Sequence, residues 1–173
     1  INTAYNIVNS RDYPGWGHMI DRGATTIWET WKESDNTFTN CHPMFGSVTE
    51  WFYRWLGGIR PDPENPGFKE FVLSPRLPDG LEFVTSNYHS PYGEIVSNWK
   101  KGNEGTITFE MKVPQGSLAQ VSLPFRPSQE LSLEKNGEEI EPESIAGLAS
   151  GKFKLEEGKY TLRLITGNTA GGS

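Results

Sequence analysis

Several common chemistries are excluded by what this chain lacks. Of 173 residues only Cys41 is a cysteine, and only three are histidines. A lone thiol cannot close an internal disulfide, and it leaves the redox compartment open. His18, His42 and His89 are scattered and have no cysteine or carboxylate at metal-ligand spacing, so no metal or other cofactor is expected. Cys41 and His42 are neighbours, but adjacent side chains rarely point at each other as a nucleophile and its base must. Ser47 sits in no Gly-x-Ser-x-Gly elbow. No run of about 18 apolar residues exists, which argues against a membrane helix. The opening Ile1-Asn2-Thr3-Ala4-Tyr5 has neither the basic nor the apolar region of a signal peptide. The 16 basic residues are dispersed among 22 acidic ones, for a net charge of -6. Nucleic acid is therefore not an expected partner. No repeat of solenoid period is present.

What the chain does have is aromatic side chains: six tryptophans, six tyrosines and nine phenylalanines. They fall in two unlike halves. In the first, Met44, Phe45, Val48, Trp51, Phe52, Trp55 and Leu56 follow the i, i+3/i+4 rhythm of one helix face. Pro43 suits the first helical position, and Gly57-Gly58 the stop. A weaker helix is expected from Ala24 to Trp31, ending near Ser34-Asp35-Asn36. Pro61, Pro63, Pro66 and Gly67 then punctuate the chain. Beyond them come eight short alternating runs: 68–73, 81–86, 94–99, 106–113, 118–123, 131–135, 152–156 and 160–165. Turn residues separate them, and Asn136-Gly137 is the strongest hairpin signal because both residues accept positive φ. Strands at this spacing predict an antiparallel β-sandwich. The expected organisation is a helical segment over 1–59, a linker over 60–67, a sandwich over 68–165 and a flexible tail over 166–173.

The nine residues from Gly23 to Trp31 carry the sharpest chemical suggestion. They set one carboxylate, Glu29, between Trp28 and Trp31. Indole faces stack on sugar rings, and carboxylates are the usual acids, bases and nucleophiles of glycoside hydrolysis. On periodicity alone Trp-x-x-Trp reads as core, and Glu29 as a structural hydrogen-bond acceptor. On a helix the two indoles cannot both share the direction of Glu29, so one belongs to the core; Trp28 is preferred for the sugar. His42, just before Pro43, sits at an N-cap. A neutral imidazole there can both donate and accept, which suits a sugar hydroxyl.

Ordered words surround these residues: Tyr13-Pro14-Gly15-Trp16-Gly17-His18, then the Gly-Ala-Thr-Thr-Ile-Trp-Glu-x-Trp run. His42-Pro43-Met44-Phe45-Gly46-Ser47, Gly58-Ile59-Arg60-Pro61-Asp62 and Ser90-Pro91-Tyr92-Gly93 follow. The series, over roughly residues 5 to 125, resembles the C-terminal end of bacterial α-L-rhamnosidases of glycoside hydrolase family 78. The resemblance implies the terminal helices of an (α/α)6 barrel followed by an antiparallel β-sandwich. It also implies an inverting hydrolase that removes terminal rhamnose from plant-type glycans. Glu29 is similar in position to the family's general base, and His42 to a family histidine that contacts the sugar; Trp28 and Trp31 remain candidates for the wall of the sugar site on their own chemistry. The family has Asn directly before that histidine; here Cys41 intervenes after Asn40, which leaves the hydrogen bonds around His42 open. The general acid lies upstream in the family. The expected partners are thus a rhamnose-containing glycan and the missing N-terminal part of the same enzyme, and the expected location is periplasmic or secreted. A second carboxylate within the chain would have to come from Asp12, Asp21 or Glu50. The competing expectation is a non-catalytic carbohydrate-binding sandwich with a helical appendage. It would need exposed aromatics on the strands, for which Tyr88, Tyr92 and Trp99 are the candidates.

Overall fold

The computed structural model describes residues 1–32, 39–124 and 130–165. The tail expected over 166–173, and the helix end expected near Ser34-Asp35-Asn36, lie outside these. The chain forms two compact units: Ile1–Phe52 with Leu77–Gly80, and Tyr53–Arg76 with the chain from Leu81 onward.

The second unit is the β-sandwich. Its strands are β1 (Ile59–Pro61), β2 (Glu70–Leu73), β3 (Phe83–Val84), β4 (Asn87–Ser90), β5 (Gly93–Lys101), β6 (Ile107–Val113), β7 (Leu118–Ser122), β8 (Glu130–Lys135), β9 (Glu138–Ile140), β10 (Lys152–Leu155) and β11 (Gly158–Ile165). One sheet has the order β1-β2-β7-β10; the other runs β3-β5-β6-β11-β8-β9, with β4 also on β5. Among the described residues all pairings are antiparallel except β2 with β7, which is parallel. A parallel pair needs a long connection, and here four strands of the other sheet supply it.

Each of the eight expected runs contains a strand, because alternation puts every second side chain into the core. Ile95 and Trp99 on β5, Phe109, Met111 and Val113 on β6, and Tyr160, Leu162 and Leu164 on β11 are buried. Phe71, Leu73, Ala119, Val121, Phe153 and Leu155 are buried in the smaller sheet. At about 25 cal/mol per Å² of apolar surface, this core is the main stabilising term. The Asn136-Gly137 hairpin between β8 and β9 forms as expected, with φ of 55° and 87°. β1, β4 and β9 are additional. β1 starts before the stretch expected as a linker over 60–67 and ends at its first proline; the next residue, Asp62, is buried and accepts from Glu64 N at 3.0 Å and Gln120 Nε2 at 2.9 Å. Arg60 lies over the Trp55 ring at 5.3 Å, and burial, then Arg76 and Arg54, push its pKa down.

The connector into the sandwich is tied down at several points. Trp99, 2% exposed, donates its indole N–H to Leu56 O at 2.9 Å. Arg76 N donates to Trp55 O at 2.8 Å, and Ser74 N to Gly58 O at 2.9 Å. Gly58 has φ of 74°, and a Cβ there would collide with the Ser74–Pro75 backbone.

The first unit corrects the helix boundaries. α1 (Asn2–Val8) and α2 (Trp16–Asp21) are helical, but 24–32 is irregular. Thr25, Thr26 and Ile27 are β-branched and resist a helix, and the Thr26 hydroxyl donates instead to Asn40 O. The continuous helix expected from Pro43 breaks into a 3₁₀ turn (Pro43–Phe45), α3 (Val48–Trp51) and a π-helical turn (Phe52–Leu56). The break falls at Gly46-Ser47, where Gly46 N closes the 3₁₀ turn on Pro43 O at 2.8 Å. Of the expected apolar face only Leu56 is buried; Met44, Phe52 and Trp55 are exposed.

Candidate active site

Two distant segments of the first unit run side by side. Glu29 N donates to Thr39 O at 3.0 Å, and His42 N donates to Ile27 O at 2.7 Å. The Thr26–Asn40 bond adds a third tie. These bonds bring the Trp-Glu-x-Trp word and the Cys-His-Pro word together across a stretch that local patterns do not link.

Glu29 is half-buried, and its Oε2 accepts from Thr39 N at 2.9 Å. The backbone of Thr39 therefore both donates to and accepts from the same residue, which fixes the carboxylate. Its Oε1 has no such bond among the described residues. Sequence reasoning missed Thr39 as the partner that holds this carboxylate. Its Oγ1 also accepts from Cys41 N at 3.1 Å, closing a local turn before His42. The signal existed only as a Thr in a Thr-x-Cys sequence, which is too common to single out.

His42 caps the 3₁₀ turn as expected, with Nδ1 accepting from Met44 N at 3.1 Å and Pro43 at the first helical position. A ring nitrogen that accepts carries no proton, so in the neutral ring the proton sits on Nε2. That tautomer presents one N–H donor away from the cap. The exposed Cys41 takes no part in the cap.

The indoles separate. Trp28 is 5% exposed and belongs to the unit's interior, together with Met19. Trp31 is half-buried and stacks on Phe45, with ring centroids 3.9 Å apart and planes at 22°. Trp16 meets Trp31 edge-on at 4.9 Å and donates its indole N–H to Phe45 O at 3.2 Å. This aromatic cluster ties the Pro-Gly-Trp-Gly-His word to the Trp-Glu-x-Trp word. Gly17 is required beneath it, because a Cβ would collide with the Ser10 carbonyl oxygen.

The other carboxylates lie differently. Asp21 pairs with Arg11 on the surface, a contact worth little. Asp12 and Glu50 are exposed. In the second unit Ser90-Pro91-Tyr92-Gly93 makes the β4–β5 turn, with Ser90 Oγ donating to Gly93 O at 2.8 Å. Trp99 is core and not available to a sugar, which removes one member of the aromatic set expected of a binding sandwich. Tyr88 packs on Phe68 at 4.7 Å.

Two family models match successive parts of the chain. Residues 1–56 match the bacterial alpha-L-rhamnosidase 6 hairpin glycosidase domain, and residues 58–138 match the bacterial alpha-L-rhamnosidase C-terminal domain. An alpha-L-rhamnosidase of Formosa agariphila is 31% identical over 143 residues, 78% of this chain and 15% of the relative. One of Alteromonas sp. is 28% identical over 98% of this chain and 18% of the relative. Among solved structures, the alpha-L-rhamnosidase from Dictyoglumus thermophilum superposes with a TM-score of 0.74 at 28% identity, over 95% of this chain and 19% of that one. The Streptomyces avermitilis enzyme complexed with L-rhamnose shares the fold, with a TM-score of 0.74 at 23% identity over 94% of this chain and 16% of that one. The chain thus spans less than a fifth of the length of these relatives.

Proposed function

The chain belongs to the bacterial α-L-rhamnosidase family, with the last part of the six-hairpin domain and the C-terminal domain, and from that premise we propose that it supplies the general base of an inverting α-L-rhamnosidase. The substrate is a glycan or glycoside with terminal α-L-rhamnose. The observation that carries the reading is the Glu29 carboxylate, fixed through one oxygen by Thr39 N and lying on the segment paired with the one that bears His42.

In inversion a water attacks the anomeric carbon on the face opposite the departing oxygen. The base takes the water proton as the new C–O bond forms and the glycosidic C–O bond breaks. A second carboxyl group, about 6.5–9.5 Å away, protonates the leaving oxygen. Glu29 takes the first role: one oxygen is oriented by Thr39 N, and the other takes the water proton. His42 Nε2–H donates to a sugar hydroxyl, and Trp31, stacked on Phe45, forms the wall, while the buried Trp28 is not part of it. The acid comes from the N-terminal part of a longer enzyme, which also covers the exposed Met44, Phe52 and Trp55.

The test is a pair of measurements on aryl α-L-rhamnoside. The 173-residue chain alone should show no turnover. In the longer enzyme, Glu29→Gln keeps the shape and the Thr39 bond but removes the base, and should lower kcat by at least about 100-fold, since a positioned base typically contributes about 10²–10⁴-fold. Near wild-type kcat in that variant would remove Glu29 from the mechanism. Turnover by the short chain would place the acid among Asp12, Asp21 and Glu50.

A further inference from the structure

The outer face of the seven-stranded sheet is not a plain solvated surface. Strand register aligns two rows of side chains across it. Phe83 pairs with Lys100, Lys100 with Thr108, and Thr108 with Arg163. Beside that row, Asn98 pairs with Glu110, and Glu110 with Thr161. The buried residues of the same strands alternate with these, so both rows point away from the core. Between them lies a groove of about 490 Å³, lined by Phe83, Asn98, Lys100, Thr108, Glu110 and Arg163. That volume is in the range of small-ligand sites, about 300–1,000 Å³.

The chemistry of the groove selects its occupant. Phe83 is 61% exposed, an aromatic ring at one end of a row whose other members are polar. The polar groups are pre-oriented by one another. Asn98 Oδ1 accepts from Ser86 N at 3.0 Å, and Asn98 Nδ2 donates to Glu110 at 3.3 Å. Arg163 is held by Glu134 at 2.5 Å. The charges balance, with Lys100 and Arg163 against Glu110 and Glu134, so no ionic ligand is favoured. An aromatic platform beside planar carboxylate, amide and guanidinium groups matches a ring that is apolar on its face and hydroxylated at its edge. From Phe83 to Arg163 the row crosses three strand spacings, about 14 Å at about 4.7–4.9 Å each, room for about two linked pyranoses.

We propose that this face is a second carbohydrate site, a non-catalytic groove on the sandwich that binds a neutral pyranose chain with Phe83 as its stacking platform. It is separate from the Glu29 site and does not depend on the hydrolytic reading. Its role would be to hold a glycan by its body rather than to cleave its end.

Amide and aromatic NMR spectra of the 173-residue chain, titrated at millimolar concentration with cellohexaose, xylohexaose, mannohexaose, an α-L-rhamnosyl-glucose disaccharide and hexagalacturonate, test this. At least one neutral sugar should shift Phe83, Lys100 and Thr108 together. Phe83→Ala should weaken that binding by at least about tenfold, equal to about 1.4 kcal/mol. Because the ring is exposed, the variant should keep the parent's melting temperature. Glu110→Gln should weaken binding as well, and it serves if Phe83→Ala disturbs the sheet. Glu29→Gln should leave the groove shifts unchanged, which separates this site from the catalytic one. Absence of shifts with every neutral sugar, response to hexagalacturonate alone, or binding indifferent to both groove variants would overturn the proposal.

Discussion

Trp99→Phe is the substitution that best measures how the connector is held to the sandwich. Trp99 is 2% exposed, and its indole N–H donates to Leu56 O at 2.9 Å, 43 residues earlier in the chain. Leu56 is itself buried, so water cannot replace the lost donor. Two costs follow. An orphaned buried carbonyl costs about 1–3 kcal/mol. The smaller ring leaves a void, and truncations of this kind add about 1–2 kcal/mol through lost transfer energy and cavity. The expected loss is about 2–5 kcal/mol, a large share of a typical domain stability of about 5–15 kcal/mol. With a mid-range urea slope of about 2 kcal/mol per M, the midpoint should fall by about 1–2.5 M. Urea titration of the sandwich amides by NMR reads this directly. Replacing Trp99 by benzothienylalanine keeps the shape and removes only the donor, so it should recover the void term but not the carbonyl term. A Trp99→Phe midpoint within about 0.2 M of the parent would refute the reasoning, because a bond that matters cannot be removed at no cost. A benzothienylalanine variant as stable as the parent would assign the whole effect to packing.

Two further outcomes are expected. In the longer enzyme, His42→Asn should keep a capping acceptor for Met44 N but lose the Nε2–H donor; KM should rise by about tenfold with little change in melting temperature, and an unchanged KM would remove His42 from sugar binding. Glu94 accepts a hydrogen bond from Lys112 at 2.9 Å, and that bond, then the Lys112 charge, holds its pKa below the usual glutamate range. A depressed folded-state pKa contributes stability that is present above the unfolded value and is lost as pH falls through the folded value. Lys112→Met should therefore return the Glu94 carboxyl titration, followed by NMR, to higher pH, and flatten the acid limb of the stability curve; an unmoved titration would show that the pair is not formed in solution.

The sandwich was legible because its signals are local. A residue's face follows from its parity along a strand, and Asn136-Gly137 needs only its own φ preferences to turn. The switch of period near residue 60, and the order of the Trp-Glu-x-Trp and His-Pro words, were likewise readable from neighbours alone. The helices were harder. Apolar spacing predicted one helix from Pro43, but Gly46-Ser47 let the backbone change to a 3₁₀ turn and then to α and π turns. That choice rests on packing outside the segment.

The amino-acid order by itself determined where eight of the eleven described strands lie, which of their residues face the core, and that Glu29 and His42 merit chemical attention. Only the tertiary structure decided what these residues do to one another. The hydrogen bonds from Glu29 to Thr39 and from His42 to Ile27 span 10 and 15 positions and follow no periodic rule. The parallel pairing of β2 with β7, the bond from Trp99 to Leu56, and the row from Phe83 to Arg163 are set by sheet register. Register depends on the whole core closing at once, so no local window of sequence contains it.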